Sequence, residues 1–370
     1  MKKLGTIGFG LLMMGAAWHT AYGQEPGPGG LIPTPDNPPT RQGTRGASFL
    51  HLGIGARGNA MAGAVGSSET GPSAWYWNPA GAAASDGFSL AAGRQNLYDD
   101  FDIGQTYAAA SLPVLGGVVG VSFNTLNSGD IDRTTEVNPL GDARAGRSFD
   151  WSSSAVSLGY ARRLTDRLAV GGQGKYITEG ISDANTSWIS FDVGTQFKTG
   201  IYGLVLGGAL QHIGGTARVK GSLISRQIDP EDNSLNRQNT RTDLFTRETE
   251  LPTEFRFSVG EDFFGDAESL FGGAGSRHSF TAEAAVNDAV DLAPQLGIGA
   301  EYSFRKLFYL RAGKRFFNDD RSTGSSAEYG LSGGFGLRIP VSSRRISFDY
   351  SYTSVGDLQN IQVFSFEFGQ

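Results

Sequence analysis

The chain has 370 residues, no cysteine and a formal net charge of −6, from 31 lysines and arginines against 37 aspartates and glutamates. The lack of cysteine excludes a disulfide framework and thiolate chemistry, and the mild acidity argues against a nucleic acid partner, which favours a basic surface. Glycine reaches 54 residues and aromatic residues 11%, a composition that favours a closed sheet whose strands must bend and coil.

The first 23 residues have the pattern of a cleaved signal peptide. Two lysines precede an apolar stretch over residues 4–17, and small residues stand at Ala21 and Gly23, the −3 and −1 positions of a cleavage site. Residues 24–47 are rich in proline and glycine with little to bury, which predicts a disordered periplasmic linker. The sequence therefore predicts an exported protein.

A period of two in hydrophobicity dominates the chain from residue 86 onward. In residues 295–304, for example, Leu296, Ile298 and Ala300 alternate with Gln295, Gly297 and Gly299, a pattern that strands show and helices do not. Fourteen such runs are present: 86–94, 103–112, 117–125, 149–163, 167–179, 186–198, 201–213, 253–261, 277–288, 294–305, 307–316, 328–339, 343–353 and 359–369. Most have the length of about ten residues that a tilted strand needs to cross a bilayer.

The connections between these runs alternate in length. Short links such as 113–116, 164–166 and 199–200 alternate with longer polar ones, of which 126–148 and 214–252 are the extremes. Bacterial outer-membrane barrels have short periplasmic turns and long external loops. The predicted fold class is therefore all-β, a transmembrane antiparallel β-barrel of about 14 strands over residues 86–370, with both termini periplasmic. A soluble β-sandwich or propeller is the alternative, and the link 262–276 is unexpectedly long.

The alternation also assigns a face to each side chain. Phe255, Phe257 and Ile298 are predicted to face lipid, and Gly299 is predicted to face inward, where a serine should be tolerated. Charged residues of both signs are predicted to fill the lumen: Arg94, Lys175, Asp192, Glu254, Arg256, Glu283, Glu301, Arg311, Arg338 and Asp349. This mixture is an ordinary polar interior, and it lacks the single-sign stripe of a charged ligand path.

Residues 48–85 differ from the barrel in composition, since they are apolar and aromatic without alternation. A short helix is predicted from Arg57 to Val65, and Asn78-Pro79 is predicted to set a sharp exit into the first strand because proline disfavours helical geometry in the residue before it. A barrel of about fourteen strands is wide enough to hold such a segment. We therefore predict that residues 48–85 form a short N-terminal hatch in the lumen, and we use the word hatch for this segment throughout.

The hatch resembles a known family. The stretch FLHLGIGARGNAMAGAVGSS followed by WYWNPAG is similar to the PorV/PorQ family of outer-membrane proteins, in the FadL-like long-chain fatty-acid transporter superfamily. The residues of the hatch motif are Ala56, Arg57, Met61, Gly63, Ala64, Trp75, Trp77, Asn78, Pro79, Ala80 and Gly81. The resemblance covers the hatch closely and the barrel only by strand count and length.

The resemblance implies two alternative functions, neither of them enzymatic. Relatives of the PorV type bind exported cargo domains in type IX secretion, which is the leading hypothesis here. Relatives of the FadL type let hydrophobic molecules such as fatty acids cross the membrane, which is the alternative. The implied partners are outer-membrane lipid, the barrel-assembly machinery, and either secreted cargo domains or hydrophobic small molecules.

The remaining motifs concern assembly and chemistry. Phe364, Phe366 and Phe368 share one face of the last strand and resemble the C-terminal signal read by the barrel-assembly machinery, although Gly369 and Gln370 follow them. The four histidines are scattered, without metal-ligand spacing, and no acid or oxyanion element accompanies His278-Ser279. The sequence therefore predicts no enzyme activity, no metal and no cofactor.

Overall fold

The computed structural model describes residues 43–98, 102–134, 136–139, 148–228, 240–317, 330–342, 344–356 and 360–369. The predicted signal peptide (1–23) and most of the predicted linker (24–47) lie outside these residues. Both predictions therefore stay untested.

Within the described residues, sixteen strands follow the hatch. Their bounds are β1 Ser89–Leu97, β2 Ile103–Val114, β3 Gly117–Asn127, β4 Trp151–Arg163, β5 Leu168–Ile181, β6 Ala184–Lys198, β7 Val205–Gly214, β8 Ser225–Ile228, β9 Thr240–Asp243, β10 Glu254–Phe264, β11 His278–Ala289, β12 Gln295–Phe304, β13 Phe308–Phe317, β14 Leu331–Val341, β15 Arg344–Ser354 and β16 Asn360–Phe368. Fourteen of them coincide with the predicted runs, with bounds shifted by a few residues.

These fourteen strands form one closed antiparallel barrel, in which β1 pairs with both β2 and β16. The other two, β8 and β9, form a separate two-stranded sheet within the long connection from β7 to β10. Closure pairs every strand on both sides, so the barrel has no open edge. The predicted fold class, a barrel of about 14 strands with a short N-terminal hatch containing a helix, is confirmed.

The side chains of each barrel strand alternate between a buried inner face and an exposed outer face. In β10, Glu254, Arg256 and Ser258 are buried, whereas Phe255 and Phe257 are 50% and 39% exposed. Nine of the charged residues predicted for the lumen face inward as expected. Arg94 does not, because it lies on the outer face of β1 with Leu90 and Ala92. Small and polar residues occupy both faces of β1, so the period of two carried little information there.

Links at one end of the barrel, the turn end, are mostly short, and those at the other end, the loop end, are mostly long. One loop-end link contradicts the predicted alternation, since β5 and β6 extend until only residues 182–183 separate them. The long link at the turn end, 265–277, is folded back onto β10. The amide of Phe271 donates to the carbonyl of Phe263 at 2.9 Å, and the rings of these two residues lie 6.4 Å apart.

The hatch contains only short helices. A 3-10 helix (Ser48–His51) precedes α1 (Ala56–Ala60), and α2 (Ala74–Trp77) leads into a second 3-10 helix (Pro79–Ala84). The helix predicted from Arg57 to Val65 is thus shorter than expected. Asn78-Pro79 does not open directly into β1, because the six-residue 3-10 helix intervenes. Within the described residues, no helix is long and apolar enough to cross a membrane.

Candidate functional site

The two parts of the hatch contact opposite sides of the barrel wall. Helix α1 contacts β13, β14, β15 and β16, whereas the 3-10 helix Pro79–Ala84 contacts β3, β4, β5 and β6. Among the described residues, none of the hatch pairs with a barrel strand in a β-ladder. The hatch is therefore held by side chains and by close packing, and these contacts define the candidate site.

Glycines on the inner face of the barrel leave room for the first part of the hatch, residues 48–65. A Cβ added to Gly299 would lie 2.6 Å from the carbonyl oxygen of Met61, and one added to Gly313 would lie 2.6 Å from the carbonyl carbon of Met61. Non-bonded atoms in packed interiors do not approach this closely. The structure therefore argues against a mild effect of serine at Gly299, because the hatch backbone occupies the space of its missing side chain; the expectation that this serine disturbs assembly much less than arginine at Ile298 stays a prediction.

Trp75 has a similar environment on the opposite wall. Its indole lies against Gly120 and Gly159, where any added Cβ would overlap the ring. The indole N–H donates to the Ser111 hydroxyl at 2.9 Å, and Trp75 is 1% exposed. A buried tryptophan needs such a polar partner, so ring and wall are complementary in both shape and hydrogen bonding.

The neighbouring aromatic residues, Tyr76 and Trp77, form contacts both within the hatch and with the barrel wall. Trp77 donates its indole N–H to the carbonyl of Ile54 at 3.2 Å, and the Tyr76 hydroxyl lies 2.8 Å from the carbonyl of Leu52. The guanidinium of Arg256, on β10, lies 5.0 Å from the Tyr76 ring centroid and 5.3 Å from that of Trp77. This geometry is that of a cation–π contact, which joins the hatch to the wall.

Asn78 has a structural role in the hatch motif. It is extended, with φ −160° and ψ 107°, and its side-chain oxygen accepts from the amide of Ala80 at 3.2 Å. Its side-chain amide donates to the carbonyls of Gly66, in the hatch, and Thr195, on β6, at 2.8 and 2.9 Å. Asn78 thus caps the 3-10 helix that begins at Pro79 and ties it to the wall.

In the second part of the hatch, residues 74–84, main-chain carbonyls accept hydrogen bonds from side-chain amides of the barrel wall. Gln173 on β5 donates to the carbonyl of Trp75 at 2.5 Å, and Gln211 on β7 donates to that of Tyr76 at 2.7 Å. Buried backbone carbonyls must find such donors because no water reaches them. The inward glutamines therefore replace the sheet pairing that the hatch lacks.

The first part of the hatch contacts the wall through charges. The Arg57 guanidinium donates to Glu301, on β12, at 3.0 Å and to Glu69, in the hatch, at 2.5 Å. Glu301 also accepts from Arg311 at 2.6 Å, and Arg311 bonds to Asp349. A buried charge is tolerated only with such partners. Burial raises the pKa of Glu69, although the adjacent Arg57 acts to lower it.

A second charged cluster lies at the loop end. His51 has ring nitrogens 3.2 Å from Asp291 and 3.5 Å from Glu254, and Arg256 also pairs with Glu254. Burial alone would lower the pKa of His51, but the hydrogen bonds and charges of Asp291 and Glu254 raise this pKa to about 9. The imidazole is therefore protonated at neutral pH and acts as a cation between two carboxylates.

A cavity of about 520 Å³ lies at the turn end between hatch and wall. Residues of both charges line it, among them Arg57, Glu69, Arg167, Lys198, Arg338 and Glu367. Such a lining suits water and small ions. No group of three or more histidine, aspartate or glutamate side chains in the described ranges is arranged to hold a metal ion.

The structure brings the residues of the predicted hatch motif together. All eleven lie in the hatch, and all except Arg57 are buried: Ala56, Met61, Gly63, Ala64, Trp75, Trp77, Asn78, Pro79, Ala80 and Gly81. Phe364, Phe366 and Phe368 lie on the outer face of β16. Their role as an assembly signal stays a prediction, as does any functional role of the motif.

Sequence reasoning missed the wall side of this interface. The high glycine content was attributed in general to strands that bend, whereas Gly120, Gly159, Gly299 and Gly313 each lie where the hatch approaches. Gln173 and Gln211 received no role. The period of two along each strand predicts that all of these residues face the lumen. It does not predict which part of the hatch each residue contacts.

Comparison with known proteins identifies solved structures of similar fold. No protein-family model matches the chain, and neither does any curated protein. Among solved structures, the toluene transporter TodX of Pseudomonas putida is similar with a TM-score of 0.51 and 13% identity, over 85% of this chain and 96% of that one. The toluene transporter TbuX of Ralstonia pickettii matches with a TM-score of 0.51 and 14% identity, over 85% and 97%. At this identity the likeness shows the fold alone.

Proposed function

We propose that this protein is an outer-membrane channel of FadL-like type, through which hydrophobic molecules pass when the hatch rearranges. The observation that carries the proposal is a lumen filled by a segment that has no strand pairing with the barrel. Such a segment can shift without breaking the sheet. The likeness in fold to TodX and TbuX, whose names identify them as toluene transporters, supports the same function.

The charged contacts of His51 and Arg57 suggest which part of the hatch shifts. Two of the wall carboxylates that they contact also have a cation in the wall itself, Arg311 for Glu301 and Arg256 for Glu254. When the hatch withdraws, Glu301 and Glu254 keep these cations, whereas Asp291, which also contacts His51, exchanges that contact for water. Neutral contacts around Trp75 have no such substitute.

An engineered disulfide tests whether movement is required. A Cβ added to Gly334, on β14, would lie 2.9 Å from the Cβ of Ala60 and 2.5 Å from the carbonyl oxygen of Tyr350, on β15. Disulfides join Cβ atoms about 3.5–4.5 Å apart, so the bond requires a local shift of β14 away from both atoms. The chain has no native cysteine. The Ala60→Cys/Gly334→Cys protein, reconstituted in liposomes, is expected to take up a fluorescent fatty acid or toluene only after reduction.

Two controls accompany this test. The Ala60→Cys single variant should transport equally with and without reductant, and the cross-link should be confirmed by mass spectrometry. Equal uptake by the oxidised and reduced double variants would contradict a moving hatch. Absence of uptake by every form, including the unmodified chain, would contradict the channel itself.

A second candidate function is a secretion component of PorV/PorQ type that binds exported cargo domains. The hatch motif supports it, and so do exposed apolar side chains in the connection between β7 and β10. Leu223, Leu244 and Phe245 are 54%, 47% and 82% exposed, and the Arg218 guanidinium lies 4.0 Å from the Phe245 ring centroid. Exposed aromatic and arginine side chains are typical of protein-binding surfaces.

This candidate is tested by binding of the purified barrel to peptides of secretion sorting domains. A Phe245→Ser variant should weaken binding while leaving the solute uptake described above unchanged. Binding by the unmodified chain together with no uptake would favour the secretion function over the channel.

We also propose the orientation predicted from loop length, with the loop end outside the cell and both termini periplasmic. An epitope inserted near Asn233, which lies outside the described residues, should be labelled on intact cells. Labelling only after permeabilisation of the outer membrane would reverse the orientation.

A further inference from the structure

An arginine stands on the lipid-facing side of the barrel wall. Arg94 lies on the outer face of β1, where it pairs with Thr106 of β2 and with Phe364, the middle residue of β16. Charged residues on the lipid face of a barrel are destabilising in a depth-dependent way. Arg94 therefore calls for a compensating partner.

The structure offers no such partner in the wall itself. Among the described residues, no carboxylate forms an ion pair with Arg94, and its side chain is exposed. The guanidinium extends toward the loop end over Gly104, where an added Cβ would lie 3.0 Å from Nη2. The absence of a side chain at Gly104 leaves room for that extension. The charge is thus directed along the outer surface toward the loop end of the barrel.

The surface around Arg94 is concave and apolar. Small side chains at Ala92, Ala108 and Thr106 form its floor, because β1 and β2 carry few large residues on this face. A ridge of large side chains on β14, β15 and β16 borders it, including Phe335, Phe348, Tyr350, Phe364 and Phe366. Its volume is about 980 Å³, at the upper end of the range of roughly 300–1,000 Å³ for ligand sites. We call this region the β1 groove.

The geometry points to the β1 groove as a binding site for an anionic phospholipid of the surrounding membrane. The acyl chains lie on the small-residue floor against the aromatic ridge, and the phosphate is bound by the Arg94 guanidinium. A guanidinium matches phosphate oxygens with two parallel hydrogen bonds. This assignment provides a counter-charge for Arg94, which has none among the described residues, and fills the apolar surface with the ligand that a bilayer supplies.

Three features favour a phospholipid over other occupants. The groove opens on the face that contacts lipid, so its occupant arrives through the bilayer rather than from water. A second copy of this chain would bring its own arginine to the interface under twofold symmetry, which adds a charge instead of neutralising one. The volume exceeds what a slender single chain needs, which favours a lipid over a free fatty acid.

Native mass spectrometry of the full chain in detergent tests the site. Phosphatidylglycerol and the diacylglycerol with the same acyl chains, which lacks the phosphate, are offered in competition; phosphatidylcholine is offered as a second phospholipid, and palmitate is offered alone. The unmodified chain is expected to retain phosphatidylglycerol over diacylglycerol by about tenfold or more, the factor that a charge-assisted hydrogen bond contributes. Arg94→Gln should abolish this preference, and Arg94→Lys, which keeps the charge but loses the planar fork, should retain part of it.

Matched variants separate the groove from general surface charge. Lys314→Gln removes an outward cation on β13, outside the groove, and should leave the preference unchanged. Ala108→Trp fills the floor and should weaken binding of both phospholipids. Variants are compared only after heat-modifiable migration on gels shows that the barrel is folded, and Arg94→Gln should fold because it removes a charge from the lipid face.

Several results would overturn the assignment. An undiminished preference in Arg94→Gln would show that other cations bind the headgroup. Retention of palmitate without phospholipid would assign the groove to a free fatty acid, and a dimeric mass that disappears in Ala108→Trp would assign it to a second copy of the chain.

Discussion

The two parts of the hatch are held in different ways, although both are buried in the same lumen. The first part, residues 48–65, meets the wall through charged side chains, with His51 and Arg57 facing carboxylates of β10 and β12. The second part, residues 74–84, meets it through aromatic rings, neutral amides and Asn78. Ser73, just before it, departs from this pattern because its hydroxyl donates to Glu367.

This difference indicates which contacts can be exchanged. Glu301 and Glu254 keep a second cation in the wall when they lose Arg57 and His51, and water or ions can replace the contact between His51 and Asp291. The space that Trp75 fills, by contrast, would be left as a cavity or a poorly packed pocket. We therefore infer that the second part fixes the hatch in the barrel and that the first part is the one that moves.

The largest expected effect comes from removing the Trp75 ring. Trp75→Ala should lower the free energy of unfolding by about 3–5 kcal/mol, the usual range for a buried large side chain replaced by alanine. Denaturant titration of the barrel in lipid vesicles measures this change. Phe245→Ala is the control, because Phe245 is 82% exposed in the connection at the loop end; a similar loss in both variants would mean that Trp75 does not support the fold specifically.

Adding a single carbon beside the same ring should have a smaller effect. Gly120→Ala places a Cβ in the space of the Trp75 indole and should cost about 1–3 kcal/mol, as overpacking commonly does. Gly174→Ala on the outer face of β5 is the matched control, since its Cβ would meet Phe191 at an ordinary 3.6 Å. The same denaturant titration compares the two, and equal tolerance would show that the wall can yield to the ring.

These glycines also show which features of the fold the sequence alone can predict. The period of two in residues such as 295–304 predicted all fourteen barrel strands, because each strand has one face in lipid and one in the lumen. The same pattern placed Gly299 inward but could not reveal the hatch backbone above it. The prediction that Arg94 faces the lumen was wrong because small residues lie on both faces of β1. Hydrophobicity therefore did not distinguish the outer face of this strand from the inner face.

The hatch itself was predictable as a segment but not in its contacts. Its apolar composition required burial, and Asn78-Pro79 predicted the extended backbone that is observed at Asn78. The wall partner of Arg57, by contrast, is Glu301 of β12, 244 residues later in sequence. Pairings at that separation depend on barrel closure and register, which local patterns do not encode.

The smallest expected effect is a dependence on pH at the first part of the hatch. The pKa of His51 is raised from its ordinary 6.5 to about 9 by Asp291 and Glu254, so its protonated form is favoured in the folded protein. Its contribution to stability is fully present below pH 6.5 and is lost as the pH rises through about 9. By linkage, this rise in pKa from 6.5 to about 9 sets an upper limit of about 3 kcal/mol. We expect a loss on the order of 1 kcal/mol within that limit, because Glu254 retains Arg256 when His51 loses its charge.

Denaturant titrations at pH 6 and pH 10 measure this contribution. His51→Gln should remove the His51-dependent part of the difference between the two conditions while leaving other titrations in place. An unaltered pH dependence in His51→Gln would show that this cluster does not hold the first part of the hatch.

We propose above all that residues 48–85 close the lumen of the barrel. Deletion of residues 48–77 removes both charged clusters of the hatch together with Trp75 and Trp77, and it leaves the barrel strands and their pairing intact. Single-channel recording in planar bilayers compares this variant with the full chain, after heat-modifiable migration has shown that both are assembled. We predict that the deleted barrel conducts ions steadily and that the full chain stays closed. A closed trace from an assembled deletion variant would contradict the account.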